Sequence, residues 1–200
     1  AGDFDGALSE GASDYWSATV NNDPGMGRGF FNSNSPLRHL DNRNYVWPDD
    51  IDSDTHQTGL IFGGAMWDLR KKLVELMGAE EGRAYSDKLF YAALQRASDI
   101  SVTYVEVLAA DDDDGDLTNG TANLCTIVDA FSLHGLADPE LSGVLGRPTM
   151  ENLKVSVTTS PSQCPGMGLS NVRVVWRWEG EEREEGASLV GEGNRLEAEI

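Results

Sequence analysis

The chain is poor in positive charge. Against 34 Asp and Glu it sets only 15 Lys and Arg, for a formal net charge of −19. Such a surface repels phosphates, which excludes nucleic acid and anionic membranes as expected partners. It suits a secreted, calcium-using protein, as it does many acidic cytosolic ones. No apolar run is long enough to span a bilayer, so no transmembrane segment is expected. No charged-then-apolar leader opens the chain, and Ala1 reads as a cut inside a longer protein. There are two cysteines, Cys125 and Cys164, and three histidines, His39, His56 and His134. No Cys/His spacing marks a structural zinc site. The two cysteines form one disulfide in an oxidising compartment or stand as separate buried thiols; both readings stay open.

What is present organises itself into a helical part and a strand part. Residues 6–20 read as a helix, with Leu8, Ala12, Tyr15, Trp16 and Thr19 at helical spacing. Turn signals (NNDPGMGRG, NSNSP, WPDDIDSD) make 21–53 a long loop, of the kind that is more often functional than idle. A helix over 54–77 is capped by Asp54 or Thr55 and ended by Gly78, with Leu60, Ile61, Ala65, Met66, Leu69, Leu73 and Leu76 on its apolar face. Helices follow over 80–98, about 101–110 and near 122–134. After Pro148 the segments LKVSVTTS and VRVVWRW alternate apolar and polar residues, and EGASLV and RLEAEI add weaker strands. The expected fold is mainly α over 1–145, followed by a truncated β-sandwich module over 146–200, immunoglobulin- or fibronectin-like. In it Trp176 and Trp178 share one strand face and read as core residues.

The candidate chemistry starts with Glu10 and Asp14, which share a helix face at i and i+4. The face also carries Ala7 and Gly11, small enough for another helix to come close. Buried acids need partners. A glutamate that binds a metal, one turn from an aspartate that orients a second ligand, meets that need.

GALSEGASDYW resembles the glutamate-ligand segment of the thermolysin and fungalysin metallopeptidases, in which a G-A-x-x-E-x-x-S-D run follows the H-E-x-x-H helix. The resemblance makes Glu10 a zinc ligand and Asp14 the support of a zinc-bound histidine. SPLRHLDN resembles the stretch whose arginine binds the substrate carbonyl, which falls on Arg38. DSDTHQTGLIFGGAMWDL resembles the helix whose histidine donates to the oxyanion, which falls on His56. The acid partner expected for His56 is Asp52 or Asp54, since Ile51 stands where the family's orienting Asp would be. DAFSLHGL, at 129–136, resembles the end of the bacterial fungalysin-like domain, so the likeness runs over roughly residues 5–137.

The pattern departs from the family at one point. H-E-x-x-H is missing, and with it the histidine pair and the general base. The resemblance therefore implies the C-terminal part of a secreted zinc endopeptidase that acts on protein or peptide substrates, inactive by itself. Two other readings stay open: a catalytically dead binding or adhesion module stabilised by calcium, and a purely structural helical domain. The acidic loop ADDDDGDLTNG places Asp112, Asp114 and Asp116 at EF-hand spacing, but Ala110 and Thr121 break that pattern. Its aspartates are solvated or neutralised by a cation, with calcium the candidate.

Overall fold

The computed structural model describes residues 5–137, 149–151, 154–158, 164, 173–176, 185–190 and 195–199. The chain divides into two units, Ala1–Ala137 and Asp138–Ile200. The boundary expected at 145/146 falls within 138–148, outside the described residues.

The first unit is built on five helices. α1 spans Gly6–Asn21, with Asp5 as N-cap accepting a hydrogen bond from the Ala7 amide at 2.9 Å. Its buried face runs through Ala7, Leu8, Gly11, Asp14, Tyr15 and Ala18, and Trp16 turns outward, 54% exposed. α2 spans Thr55–Met77, and of the two expected caps Asp54 is the one used, accepting from the His56 amide at 2.9 Å. Every residue from Thr58 to Arg70 is buried, so α2 is the central helix rather than a one-faced amphipathic one. Burial of its apolar residues ends at Leu73; Leu76, expected on the apolar face, is 63% exposed in the last turn. Gly78 ends α2 in a positive-φ conformation and opens α3, Ala79–Leu94. α3 stops short of the expected residue 98, although Ala97 is buried beyond its end. A 3-10 turn at Ile100–Val102 leads into α4, Thr103–Asp111, and α5 covers Leu124–Ser132.

Leu8, Ile61, Phe62, Met66, Leu69, Leu89, Ile127 and Phe131 form one fully buried core around α2. Burying an aliphatic or aromatic side chain contributes about 1.5–3 kcal/mol. Tyr15 packs against Phe90 with ring centroids 4.6 Å apart, and its hydroxyl shares a 2.8 Å hydrogen bond with the Ser86 hydroxyl.

Within the expected loop 21–53 lies a small antiparallel hairpin. β1 (Gly25–Met26) pairs with β2 (Arg38–His39), with Met26 opposite Arg38. Arg28 fastens its arm, donating to both carboxylate oxygens of Asp23 at 2.7 and 3.0 Å and to the Asn34 carbonyl at 2.8 Å.

The second unit carries antiparallel strands where the alternating segments stand. β3 (Thr149–Glu151), β4 (Lys154–Thr158) and β7 (Arg195–Glu199) form a sheet in the order β3-β4-β7. β5 (Arg173–Trp176) pairs with β6 (Glu185–Ser188), with Trp176 opposite Glu185. Val155 and Ala198, partners across β4 and β7, cluster with Leu189, and Val174 and Ala187 of the second pair pack on them. The Trp176 side chain and all of Trp178 lie outside the described residues.

Candidate active site

Glycine brings α1 and α2 together. A Cβ added at Gly11 would lie 2.3 Å from the Gly59 carbonyl oxygen, and one added at Gly59 would lie 2.6 Å from the Gly11 nitrogen. The two helices therefore cross backbone against backbone, which only residues without a side chain permit. The helix that the small face at Gly11 admits is α2. The crossing stands one residue after Glu10 and three after His56, and it sets these two side chains against each other.

His56 Nδ1 lies 2.9 Å from Glu10 Oε2, and both side chains are partly open to solvent. The approach is off the direction of an N–H···O bond, so Nδ1 is a buried nitrogen without an aligned partner. Neither expected acid reaches the imidazole. Asp54 is occupied with the His56 backbone amide, and Asp52 Oδ1 accepts from the Asp54 amide at 2.8 Å.

One turn further along α1, Asp14 accepts two hydrogen bonds from Arg38, Nε to Oδ2 at 2.7 Å and Nη2 to Oδ1 at 2.8 Å. Asp14 is buried, and β2 delivers Arg38 to it. The Asp14 hydrogen bonds raise the guanidinium pKa above its ordinary value against the opposing effect of burial, and the charges of Glu10 and Asp54 add to the rise. Arg38 thus feels all three acids. Glu10, Asp14, Arg38 and His56 form one neighbourhood drawn from α1, β2 and α2. The role expected of Asp14 was to support a histidine; the partner it holds is Arg38.

A catalytic zinc takes about three protein ligands and a water. Among the described residues Glu10 belongs to no group of three or more metal-ligating side chains, so these residues alone do not fit a zinc ion. Among the described residues the one such group is Asp112, Asp113 and Asp114, whose carboxylate oxygens lie within 4.8 Å of one another. The expected trio differed by taking Asp116 in place of Asp113. Asp112 Oδ2 accepts from the Gly115 amide at 2.7 Å, and Oδ1 is buried without a hydrogen-bond partner. Asp114 accepts from the Asn119 side chain at 2.8 Å and the Asp116 amide at 2.9 Å, which together lower its pKa.

Sequence reasoning missed the residue that closes this loop. Asp111, buried at the end of α4, accepts from Tyr85 Oη at 2.8 Å, Thr121 Oγ1 at 2.6 Å, the Asn123 amide at 2.6 Å and Asn123 Nδ2 at 2.7 Å. Burial, and then the bond to Asp111, push Tyr85 up to about 12. Four adjacent aspartates hid the different role of the first. Cys125 and Cys164 are both disulfide-bonded, and none of the described cysteines is free.

Compared with protein-family models, curated proteins and solved structures, the chain matches none of them. No described helix is long and apolar enough to cross a membrane.

Proposed function

We propose that this chain is the C-terminal part of a secreted zinc metalloendopeptidase that cleaves internal peptide bonds, with its remaining zinc ligands and general base in an upstream segment. The observation that carries the reading is the convergence of Glu10, Asp14, Arg38 and His56, three of them named from separate motifs far apart in the sequence. A zinc ion held in part by Glu10 would supply Lewis-acid chemistry, polarising the scissile carbonyl and acidifying a water. Glu10 is the ligand this chain would supply. Asp14 aims the Arg38 guanidinium, which donates to the substrate carbonyl. His56 has Nδ1 beside Glu10, and Nε2 would donate to the oxyanion when that nitrogen holds a hydrogen. The disulfide supports an oxidising, extracellular setting. The strands after Pro148 fit an appended immunoglobulin- or fibronectin-like module.

The test is kinetic, on the chain extended upstream through an H-E-x-x-H. Removing an oxyanion donor costs about 10²–10³ in kcat. His56→Ala is expected to lower kcat by that order with little change in KM. A His56→Ala enzyme as fast as its parent refutes the assignment.

A second reading rests on a separate observation, the buried unpartnered Oδ1 of Asp112 within the Asp112–Asp114 group. In it the domain is a catalytically dead binding or adhesion module that calcium stabilises through these aspartates. Calcium at a hundred times its Kd stabilises by about 2.7 kcal/mol. A calcium-dependent rise in Tm that Asp112→Asn removes supports the site. An unchanged Tm in millimolar calcium excludes it.

A further inference from the structure

His134 follows α5 and is fully buried. Its Nδ1 lies 2.9 Å from the Tyr45 carbonyl oxygen, which can only accept, so Nδ1 carries a hydrogen. Its Nε2 lies 3.0 Å from Asp68 Oδ2 on α2. Burial pushes Asp68 up, but the hydrogen bonds from His134 and Lys71 outweigh it and hold the carboxyl below its ordinary value. The Lys71 ammonium lies 2.8 Å from the other carboxylate oxygen, Oδ1, the ion pair of an ionised Asp68 that can only accept, so Nε2 facing Oδ2 also carries a hydrogen. A ring that donates from both nitrogens is an imidazolium.

The pocket is shaped for this ring. A Cβ at Gly64 would stand 2.6 Å from His134 Cε1. The same corner holds the backbone of a strap. The Trp47 amide donates to the His134 carbonyl at 2.9 Å, and Gly135, at φ +64°, lies so close beneath that a Cβ there would be 2.2 Å from the Trp47 oxygen. The strap runs between Arg38 and His56 in the chain, so its order bears on both. The other charges around the ring are paired. From α2, Lys71 bonds Asp68 at 2.8 Å and also Asp41, and Lys72 bonds Asp129 of α5. From the strap, Arg43 bonds Asp50 and lies 4.2 Å above the Tyr45 ring.

We propose that His134 is a buried imidazolium clasp that pins the 45–47 strap to α2, closed while the ring holds both protons and released as it loses one. A neutral ring keeps a single hydrogen. Its bare nitrogen then faces either the Tyr45 oxygen or the Asp68 carboxylate, and one bond is lost. The clasp weakens as pH rises through deprotonation of His134. It weakens again in acid, as protonation of Asp68 removes its charge. The inference stands whether or not the peptidase reading holds.

The test uses ¹⁵N NMR of the ring nitrogens and amide exchange at Trp47, on the whole chain. His134→Gln assigns the ring signals. Both nitrogens are expected to be of protonated type near neutral pH. Trp47 protection, corrected for base-catalysed exchange, is expected to fall about tenfold to a hundredfold as the ring deprotonates. Asp68→Asn should move that fall to lower pH, and it carries the test if His134→Gln does not fold. A ring with one bare nitrogen at neutral pH overturns the proposal. So does Trp47 protection that ignores the protonation of the ring.

Discussion

Arg38 grips Asp14 with two parallel N–H···O bonds of 2.7 and 2.8 Å, joining the hairpin strand β2 to the buried face of α1. Geometry of this kind belongs to arginine alone, because lysine offers a point charge and no planar fork. Hydrogen bonds to charged groups contribute about 1.5–3 kcal/mol. Asp14→Asn is expected to lose stability in that range, read as a fall in the urea midpoint at constant slope. Arg38→Lys should recover only part of the pairing. An Asp14→Asn protein with an unchanged midpoint would mean that the pair contributes no more than an exposed surface ion pair.

The contact of α1 and α2 makes a prediction of unusual sign. In an exposed helix, Gly to Ala stabilises by roughly 0.8–1 kcal/mol. At Gly11 the new methyl would meet the Gly59 carbonyl at 2.3 Å, backbone that cannot yield cheaply. Gly11→Ala is therefore expected to destabilise, by about 1–3 kcal/mol as overpacked sites do. Because the helices must part, Glu10 and His56 should separate too. A stabilised Gly11→Ala protein, measured by thermal or urea unfolding, would place the helices further apart than described.

Alkali should weaken the helical unit for a definite reason. Burial pushes Tyr15 up to about 12, only partly relieved by the Ser86 hydrogen bond, against an ordinary value of 10.0. A folded pKa above the unfolded one means that its contribution is intact below pH 10.0 and is lost as pH climbs toward about 12. Tyr85, raised to the same value, acts in the same window. Urea unfolding across this range should show falling stability, and Tyr15→Phe should flatten the fall. A profile unchanged by Tyr15→Phe would place the ionisation elsewhere.

Acid should loosen the hairpin arm. The hydrogen bond from Arg28 is the main cause that holds Asp23 at about 2, below its ordinary 3.8. A lowered value means that the tie is intact above pH 3.8 and is lost as pH falls toward about 2. The Gly25 amide, which donates to Asp23 at 3.0 Å, should lose exchange protection in the same range. Asp23→Asn should show weakened protection at every pH. Constant Gly25 protection down to pH 2 would contradict the assignment.

Helices were legible where capping chemistry and apolar spacing agreed. Asp54 and Gly78 bracket α2 as read from their residue types, and the apolar positions from Leu60 to Leu73 are all buried. Leu76 and Trp16 were misplaced because spacing says which residues share a face but not where the neighbouring helices end. The hairpin was hidden because each strand has only two residues, too short for any alternation to register. Motif likeness singled out Glu10, Arg38 and His56, but not their partners. The pairing of Glu10 with His56 depends on the crossing at Gly11 and Gly59, and that of Asp14 with Arg38 on the hairpin. Both are long-range contacts that no local pattern encodes. Asp111 was read as one more loop acid, since its burial follows from the packing of α4 rather than from its neighbours in sequence.

The most direct measurement for the central claim is the zinc content of the chain extended upstream, purified without added metal, beside its Glu10→Gln variant. Stoichiometric zinc in the parent, lost or greatly weakened in Glu10→Gln while the fold is kept, is the expected result. No zinc in the extended chain, or zinc held equally well by Glu10→Gln, would contradict it.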